Sequence, residues 1–474
     1  MTTFRSFKKV QQALLTSRTN CVNITKLYLD EIENNNHLNA FVEIFTEDAL
    51  EAAHQIDKKI KSGTAGKLAG MIIGIKDNLC YEGHKVTASS KMLEGFESVY
   101  SATVVKRLLK EDAIIIGRLN CDEFAMGSSN ENTVYGPVKN PLDNSKVSGG
   151  SSGGSAAAVS GGLCLVALGS DTGGSIRQPA SFCGVVGLKP TYSRVSRYGL
   201  IAYASSFDQI GPLANTIEDV ALVLEVIAGE DKYDSTSSTK KVDLYSKIKL
   251  NNKPKKIAYI SECIEREGVD SEIVSNIRKT IDKLKSEGHI VEPISFPYLD
   301  FLIPTYYVIT TAEASSNLAR FDGVHYGYRS KKITDLESTY FNSRTEGFGK
   351  EVKRRIMLGT FVLSSGYHEA YFTKAQKNRR LIQEATNHMF KEYDFVISPT
   401  TPHTAFDIGK EYSDPTEMYL EDIFTVQANL SGNPAISIPV WTHSNGLPIG
   451  LHIMADHFKE AELISFSKNI LDKA

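Results

Sequence analysis

Apolar residues recur at helical spacing near the start of the chain. Ile24, Tyr28 and Ile32 fall on one face of a helix. A second helical run, from Thr46 to Lys61, ends at a Ser-Gly pair, which is a common helix stop. We therefore expect residues 1–62 to form a helical N-terminal layer that packs against the rest of the protein.

From residue 68 onward, strand patterns alternate with helical patterns. The run from Leu68 to Lys76 predicts a buried strand, Ser101 to Asp112 an amphipathic helix, and Ala113 to Gly117 a second strand. The alternation continues to the end of the chain. Further strands are predicted at Leu163 to Leu168, Gly184 to Lys189, Lys256 to Ile260, Ile290 to Ile294, Phe395 to Ser398, Ile436 to Val440 and Ile449 to Ala455, and further helices at Thr216 to Ala228, Ser271 to Glu287, 301–320, 350–392 and from Lys459.

This alternation predicts an α/β protein. Strands that are separated by helices favour a sheet with helices on its faces. We expect residues 1–474 to form a single large domain, in which a mixed, mostly parallel β-sheet is covered by helices on both faces. Residues 230–254 are polar and weakly periodic, and they predict a surface excursion rather than a domain boundary.

The composition is that of an ordinary globular protein, with 41% hydrophobic and 23% charged residues. A net charge of −3 argues against a chain that neutralises many phosphates by itself. The six cysteines lie far apart and lack zinc spacing, so they predict no metal site and favour a reducing compartment. No apolar run approaches the length of about 18 residues that spans a membrane, and we expect a cytoplasmic protein.

The stretch from Ser148 to Arg177 is unusual in composition. Sixteen of its thirty residues are Gly or Ser, yet it contains the apolar run from Leu163 to Leu168, which a flexible linker would not need. Ser151 and Ser175 each follow a pair of glycines. Glycine lets a backbone approach a ligand closely or adopt conformations that side chains forbid. The pattern favours a backbone-lined catalytic or anion-binding site.

Two well-known glycine-rich sites fit this stretch poorly. Residues 149–153 match the G-x-S-x-G elbow of α/β-hydrolases, but the chain has no His from residue 85 to residue 288 to act as a base. A base from farther along the chain is not forbidden, although no local His signature supports one. A P-loop is excluded, because no Lys-Ser or Lys-Thr pair follows the glycines.

A serine-lysine site remains, and Lys76 is its candidate base. It stands at the end of a predicted buried strand. A lysine acts as a base only when its amine is neutral, which at pH 7 requires a pKa about 3 to 4 units below its usual value of about 10.4. Burial produces shifts of that size.

These residues resemble the amidase signature family. Its Ser-Ser-Lys triad is matched by GIKD, GGSSGGS and DTGGSIRQPA, with 75 residues from Lys76 to Ser151 and 24 from Ser151 to Ser175. The resemblance implies that Ser175 is the nucleophile, Ser151 the proton shuttle and Lys76 the base, within a catalytic core of residues 68–215. It also implies a cis peptide bond at Ser151 and an acyl-enzyme intermediate on Ser175.

The residues ahead of the nucleophile then gain a role. Thr172, Gly173 and Gly174 carry successive backbone N–H groups, which can form a nest for the oxyanion of a tetrahedral intermediate. The two glycines would let this backbone come close to the substrate.

Motifs in the second half resemble one branch of the family, the A subunits of the glutamyl-tRNA(Gln)/aspartyl-tRNA(Asn) amidotransferases. The matching stretches are RTEGFGKEVKRRIMLGTF, SSGYHEAY, DGVHYGYR and DIFTVQANLSGNPAISIP. The resemblance implies that Tyr306, Arg355 and Asp422 hold free glutamine. Arg355 suits the α-carboxylate and Asp422 the α-ammonium. Tyr307 would replace Tyr306 if the match were shifted by one residue.

This branch implies a glutaminase that works in a complex of three different chains. Ammonia released from glutamine would pass to a partner chain, which uses ATP and magnesium to amidate mischarged Glu-tRNA or Asp-tRNA. The chain itself is expected to hold no cofactor, and to meet tRNA mainly through the partner. Two alternatives stay open. A stand-alone amidase would use the same triad on another small amide, and a non-enzymatic scaffold would normally lack one of the three triad residues.

Overall fold

The structure, a computed structural model, describes residues 3–248, 253–410 and 421–473. Within these ranges eleven strands form one sheet, and two short strands, β4 and β5, form a separate hairpin. The strands are β1 Phe41–Ile44, β2 Ile72–Lys76, β3 Ile114–Leu119, β4 Lys139–Asn140, β5 Asp143–Val147, β6 Val166–Asp171, β7 Val186–Lys189, β8 Gln209–Ala214, β9 Lys256–Ile260, β10 Ile290–Ile294, β11 Phe395–Pro399, β12 Ala435–Thr442 and β13 Pro448–Ala455.

The large sheet is mixed, in the order β1-β3-β2-β6-β8-β7-β12-β13-β11-β9-β10. The α/β class and the mixed sheet are confirmed, but the expectation of a mostly parallel sheet is wrong. Among the described strands, four neighbouring pairs are parallel and six are antiparallel. Strands joined through a helix, such as β2 and β3, run parallel, whereas β12 and β13 are joined by a short turn and run antiparallel.

Helices fill the connections between the strands. They are α1 Phe7–Leu15, α2 Cys21–Asn34, α3 Thr46–Ser62, α4 Thr103–Lys110, α5 Gly153–Ser160, α6 Arg177–Cys183, α7 Ile217–Ile227, α8 Glu262–Glu265, α9 Ser271–Ser286, α10 Leu299–Asn317, α11 Leu336–Gly347, α12 Lys350–Leu363, α13 Lys374–Glu392, α14 Val426–Ser431 and α15 Glu460–Leu471. Within the described ranges, no helix combines the length and the apolar character needed to cross a membrane.

The sheet is packed on both faces. In β11, Phe395 and Ile397 join one hydrophobic core, and Val396 between them joins another. Successive strand residues point to opposite faces, so the two cores lie on opposite sides of the sheet. Buried residues of α2, α3, α5, α7, α9 and α15 belong to the first core, and those of α10, α12, α13 and α14 to the second. The expected helical cover on both faces is confirmed.

Most predicted elements occur close to their expected positions, but some elements, including β8 and α11, were not predicted, and the N-terminal layer and the long helical segment differ from expectation. The N-terminal layer contains the unexpected edge strand β1, which pairs antiparallel with β3. The helix predicted at 350–392 is interrupted between α12 and α13 by a turn and a π-helical segment, Glu369–Thr373. Gly366 has φ +87° in that turn, a left-handed conformation that ends a helix.

The predicted surface excursion at 230–254 is only partly described, because residues 249–252 lie outside the described ranges. Up to Ile248 it contains one 3₁₀ turn, Tyr245–Lys247, and Tyr245 is buried in the first core. The segment is therefore fastened to the protein at Tyr245.

Candidate active site

Two neighbouring parallel strands, β2 and β6, bring two of the three predicted triad residues to the same edge of the sheet, and Ser151 reaches Lys76 from the loop between β5 and α5. Their pairing places Ile75 opposite Leu168, so both strands end at the same edge of the sheet. Lys76 is the last residue of β2, and the turn that holds Ser175 follows the end of β6. Polar groups at the carboxyl ends of such strands are favourably placed for ligand binding.

The amine of Lys76 lies within a cluster of hydroxyl groups. Lys76 is completely buried. Its Nζ is 2.7 Å from Ser151 Oγ, 2.9 Å from Ser152 Oγ and 3.0 Å from Ser170 Oγ. Ser170 also accepts a hydrogen bond from Asn78 Nδ2 at 2.9 Å. Among the described residues no carboxylate forms an ion pair with the amine, and its hydrogen-bond partners there are the neutral hydroxyl groups of Ser151, Ser152 and Ser170.

Burial lowers the pKa of Lys76 to about 8, against an ordinary value of 10.5. The negative charges of Asp122 and Asp171 oppose this shift from a distance. The direction agrees with the sequence prediction of a depressed lysine pKa, but the shift is smaller than the 3 to 4 units expected, so the amine is half neutral at about pH 8.

Ser151 follows a cis peptide bond between Gly150 and Ser151, as the family resemblance implies. The Ser151 side chain is fully buried beside Lys76. The neighbouring Ser152 donates its own hydroxyl to the carbonyl of Ser170 at 3.1 Å. The Ser152 proton is committed there, and of the three hydroxyl groups around Lys76 the one of Ser151 lies nearest to the amine, at 2.7 Å.

The turn that carries Ser175 is organised by a buried ion pair. Asp171 accepts hydrogen bonds from the backbone of Gly174 at 2.9 Å and of Ile176 at 3.1 Å. Arg177 donates to both oxygens of the same carboxylate at 3.0 Å. Burial alone would raise the pKa of Asp171, but Arg177 holds it well below its usual range. The turn is therefore fixed around a permanent carboxylate.

Ser175 is the most accessible member of the triad, 9% exposed where Lys76 and Ser151 are 0% exposed. Its carbonyl accepts a hydrogen bond from Ser152 N at 3.2 Å, which joins the nucleophile turn to the loop of Ser151. Of the three predicted triad residues, only Ser175 thus has any exposed surface.

The predicted oxyanion residues lie in this turn. The Gly174 amide donates to Asp171, and Thr172 Oγ1 donates to Asp208 at 2.7 Å. Two of the positions require glycine for different reasons. Gly174 has φ +142°, and a Cβ on Gly173 would lie 2.6 Å from Tyr306 Cζ. Contact with Tyr306 ties the turn to α10.

Tyr306 and Tyr307 are adjacent on α10 but contact different parts of the candidate site. Tyr306 packs against Gly173 in the nucleophile turn. The ring of Tyr307 stacks on the guanidinium of Arg355, with 5.3 Å from Arg355 Cζ to the ring centre. The residue adjoining the nucleophile turn is therefore Tyr306, the one predicted, while Tyr307 supports the buried arginine.

Arg355 on α12 is 3% exposed and held in a fixed orientation. Its Nε donates to Glu351 Oε1 at 2.9 Å, one helical turn earlier. Its Nη1 donates to the hydroxyl of Tyr203 at 2.9 Å. A guanidinium stays charged at any physiological pH, so the pocket contains a fixed cation.

Asp422 supplies the opposite charge. It is 6% exposed and accepts a hydrogen bond from Ser128 Oγ at 3.0 Å. Burial raises its pKa to about 7, although Ser128 and the nearby charge of Arg355 act in the opposite direction. The cation of Arg355 and the carboxyl of Asp422 therefore influence each other within one buried pocket.

Sequence reasoning missed several polar residues that support these groups. Gln178 accepts from Gly150 N at 3.0 Å and donates to the carbonyl of Ser128 at 2.8 Å, which connects the Ser151 loop to the partner of Asp422. Tyr203 holds Arg355. In the sequence, Gln178 and Tyr203 are marked only by their positions in or near glycine- and serine-rich loops. Their hydrogen-bond partners lie far away in sequence, so no local pattern links them.

The arrangement suits acyl transfer from an amide. A lysine with a lowered pKa, a serine bonded to it and an accessible serine in the adjoining turn are the groups that a proton relay requires, and backbone amides follow β6. Buried Arg355 and buried Asp422 add one cation and one carboxyl group to the candidate site, so these residues suit a small substrate that carries both charges. Among the described residues, no group of three His, Cys, Asp or Glu side chains is arranged to hold a metal ion.

Comparisons with known proteins agree with this geometry. The sequence model of the family described as Amidase matches residues 23–464. Over 467 residues the chain is 50% identical to the A subunit of the glutamyl-tRNA(Gln) amidotransferase from Chlorobium phaeobacteroides (strain DSM 266), with 98% of each chain covered.

Solved structures show the same similarity. The crystal structure of the glutamyl-tRNA(Gln) amidotransferase A subunit from Thermotoga maritima superposes with a TM-score of 0.78 at 41% identity, over 94% of this chain and 90% of that one. The native peptide amidase from Stenotrophomonas maltophilia superposes with a TM-score of 0.82 at 27% identity, over 98% of this chain and 96% of that one.

Proposed function

This chain belongs to the amidase family, and from that membership, its likeness to the A subunits and the geometry of its site we propose that it is the glutamine-hydrolysing subunit of a tRNA-dependent amidotransferase. The observation that carries the proposal is a juxtaposition. The turn of Ser175 is hydrogen-bonded to the loop of Ser151, which holds Lys76, and it packs against Tyr306. Tyr306 in turn lies close enough to buried Arg355 and Asp422 to feel their charges.

The reaction starts with a relay of protons. Ser175 Oγ attacks the side-chain amide carbon of glutamine as its proton moves to Ser151, and the Ser151 proton moves to the neutral amine of Lys76. The resulting tetrahedral intermediate collapses when the relay returns a proton to the amide nitrogen. The C–N bond breaks, ammonia leaves and a glutamyl ester remains on Ser175. Water then attacks the ester through the same relay and releases glutamate.

Backbone donors stabilise the oxyanion in this scheme. We assign this role to the turn of Thr172, Gly173 and Gly174, which lies directly ahead of the nucleophile. The Gly174 amide already donates to Asp171, so its part in the turn includes holding the backbone in place. Amides fixed in advance are effective, because they need no reorganisation when the charge forms.

The pocket recognises the amino-acid end of glutamine. Arg355 pairs with the α-carboxylate, Asp422 with the α-ammonium, and Tyr306 lines the path between them and the nucleophile. Free glutamine carries both charges, and burying either without a partner would be costly. The two charged residues therefore select an α-amino acid, and the triad acts at its far end.

The same proposal includes the complex. The names of the relatives identify them as subunits, which supports assembly with other chains, and we propose two further ones. Ammonia then passes to a partner that holds ATP and magnesium and amidates Glu-tRNA(Gln), Asp-tRNA(Asn) or both. The mischarged tRNA is bound mainly by that partner, and the location is the cytoplasm.

Trapping the acyl-enzyme tests the nucleophile. The protein is incubated with a glutamine analogue that carries an electrophilic γ-carbonyl, and the adduct is mapped by mass spectrometry. We expect modification of Ser175, and complete loss of glutamine hydrolysis in Ser175→Ala. Ser155→Ala is a matched control, since Ser155 is buried and donates to the carbonyl of Leu168 at 3.0 Å away from the triad.

Substrate choice separates this function from that of a stand-alone amidase. The protein is purified with the chains that accompany it in its host, and is assayed on glutamine and on simple aliphatic and aromatic amides. Preferential hydrolysis of glutamine supports the proposal. A preference for the simple amides refutes the proposed function. In the trapping experiment, an adduct on Ser151 or on a cysteine with Ser175 unmodified refutes it as well.

A further inference from the structure

Thr425 joins the two ends of the substrate pocket. It is completely buried in the turn that leads from Asp422 into α14. Its Oγ1 lies 2.6 Å from the carbonyl oxygen of Gly173 and 3.0 Å from the carbonyl oxygen of Asp422. Its backbone N–H also donates to the Asp422 carbonyl at 3.0 Å. One side chain thus contacts both the nucleophile turn and the residue for the α-ammonium.

The contact with Gly173 fixes a whole peptide unit. In a planar trans peptide, the carbonyl and the following N–H point in opposite directions. The unit between Gly173 and Gly174 gives its carbonyl to Thr425 and its N–H to Asp171 at 2.9 Å. Because both the carbonyl and the N–H of this peptide unit are hydrogen-bonded, the peptide plane cannot rotate without breaking a buried hydrogen bond. The orientation of the neighbouring amides that face the oxyanion is therefore fixed as well.

Packing makes this connection stiff. A Cβ on Gly174 would collide with Thr425 Oγ1 and lie 2.8 Å from Thr425 Cβ. The backbone carbonyl of Thr425 also accepts from Arg177 Nη1 at 2.9 Å, and Arg177 belongs to the ion pair that organises the nucleophile turn. The threonine is therefore held from its side chain and from its main chain by the same turn.

We infer that Thr425 is a positioning residue that sets the separation between the Asp422 end of the pocket and the oxyanion turn, and so selects glutamine over asparagine. The inference rests on the proposed glutamine hydrolysis. The two amino acids share the α-carboxylate and the α-ammonium, and asparagine has one methylene fewer before its amide. With the α-end bound, a rigid separation brings the glutamine amide to Ser175 and leaves the shorter side chain out of reach.

Removing the hydroxyl without changing the shape tests this role. In Thr425→Val we expect kcat for glutamine to fall about 10²-fold, since displacement of about 1 Å has that effect. KM should change less than about threefold, because Arg355 and Asp422 still bind the α-end. The ratio of kcat/KM for glutamine to that for asparagine should fall about tenfold. Thr425→Ser keeps the hydroxyl and should retain most of the rate and of the discrimination.

The protein is prepared with its co-purifying chains, and melting curves establish folding. Thr25→Val is the control, because Thr25 is also fully buried and donates to a backbone carbonyl, that of Cys21 at 2.9 Å, in the N-terminal layer. Should Thr425→Val fail to fold, Thr425→Ser and Thr425→Ala are compared, and a loss confined to Ala supports the inference.

Several outcomes overturn it. One is a folded Thr425→Val protein that has the wild-type kcat and an unchanged ratio of kcat/KM for glutamine to kcat/KM for asparagine. Another is an equal loss of activity in Thr425→Ser and Thr425→Ala. Glutamine hydrolysis by the wild type that is lost in Ser175→Ala supports the proposed function whatever Thr425 does. A wild type that does not hydrolyse glutamine refutes the proposed function and the inference together.

Discussion

At the residue scale, the buried charges of this site fall into two kinds. Asp171 is paired with Arg177, and its pKa stays far below its usual range in spite of burial. Lys76 and Asp422 have no directly bonded ion partner among the described contacts, and burial moves the pKa of each toward neutrality, to about 8 and about 7. The paired charges of Asp171 and Arg177 hold the backbone of the turn in place. The protonation states of Lys76 and Asp422, by contrast, can change with pH and with a bound substrate.

The shifted lysine predicts a pH dependence of the chemical step. With a pKa of about 8, about one Lys76 in ten is neutral at pH 7, and most are neutral above pH 9. Because we propose that the neutral amine is the base, kcat for glutamine should rise with pH through this range and then level off. Lys76→Arg should be inactive throughout, since a guanidinium cannot give up its proton. Steady-state kinetics from about pH 6 to 9 measure this, and an active Lys76→Arg protein would exclude the base role.

The shifted aspartate predicts a separate effect on binding. Below its pKa of about 7 the carboxyl of Asp422 is protonated and cannot pair with the α-ammonium of glutamine. KM should therefore rise as the pH falls through 7, by up to about tenfold per unit. Asp422→Asn should have a high KM that no longer depends on pH between about 6 and 8. If the wild-type KM is flat across that interval, Asp422 does not bind the ammonium group.

At the scale of elements, the site depends on close contact between the turn after β6 and helix α10. Gly173 lies against the ring of Tyr306, and Gly174 lies against Thr425. The turn needs glycine at 174 for its conformation as well as for space, whereas at 173 space is the reason, because no left-handed φ occurs there. A side chain at 173 would therefore act by pushing on α10.

This distinction predicts the outcome of a double substitution. Gly173→Ala should lower kcat/KM for glutamine about 10²-fold, because the new methyl group collides with Tyr306 and displaces either the ring or the turn. Tyr306→Ala removes the obstacle at its own cost in binding. In that background, Gly173→Ala should cost little more, and a double-mutant cycle on kcat/KM measures the coupling. Fully additive losses would mean that the two residues act independently.

The elements of the site could be predicted to different degrees. Lys76, Ser151 and Ser175 stand in short segments whose glycines and apolar flanks carry a local signal. The structure places Lys76 and the turn of Ser175 at neighbouring strand ends, and the loop of Ser151 beside Lys76. Strand β8 was missed, although it lies between β6 and β7, because its core role comes from its neighbours rather than from an alternating pattern. Tyr203 could not be found either, since only the fold brings it to Arg355.

At the scale of the whole molecule, the site lies where the two cores meet. Lys76 ends β2 and the turn of Ser175 follows β6, and both strands pack in the first core, while Ser151 lies in the loop between β5 and α5. Helices α10 and α12, which carry Tyr306 and Arg355, pack in the second core. Sequence reasoning recognised the alternation of strands and helices but overestimated the parallel pairs. Strand direction depends on how the connections cross the sheet, and local periodicity does not record it.

This division predicts that ammonia supply can be separated from ammonia use. Arg355→Ala and Asp422→Ala should each leave an unpaired charge in the pocket and cost about 2 to 5 kcal/mol in kcat/KM for glutamine. Neither residue belongs to the partner that would consume ammonia. In the assembled complex, both variants and Ser175→Ala should therefore amidate mischarged tRNA with added ammonium chloride at wild-type rates, and fail with glutamine.

Arg380→Ala, which removes an exposed arginine paired with Glu384, should behave as the wild type with either nitrogen source. Amidation is measured as the conversion of tRNA-bound glutamate to glutamine or of tRNA-bound aspartate to asparagine. If the variants fail with ammonia as well, these residues serve the assembly of the complex, and if they use glutamine at wild-type efficiency, the pocket assignment is wrong.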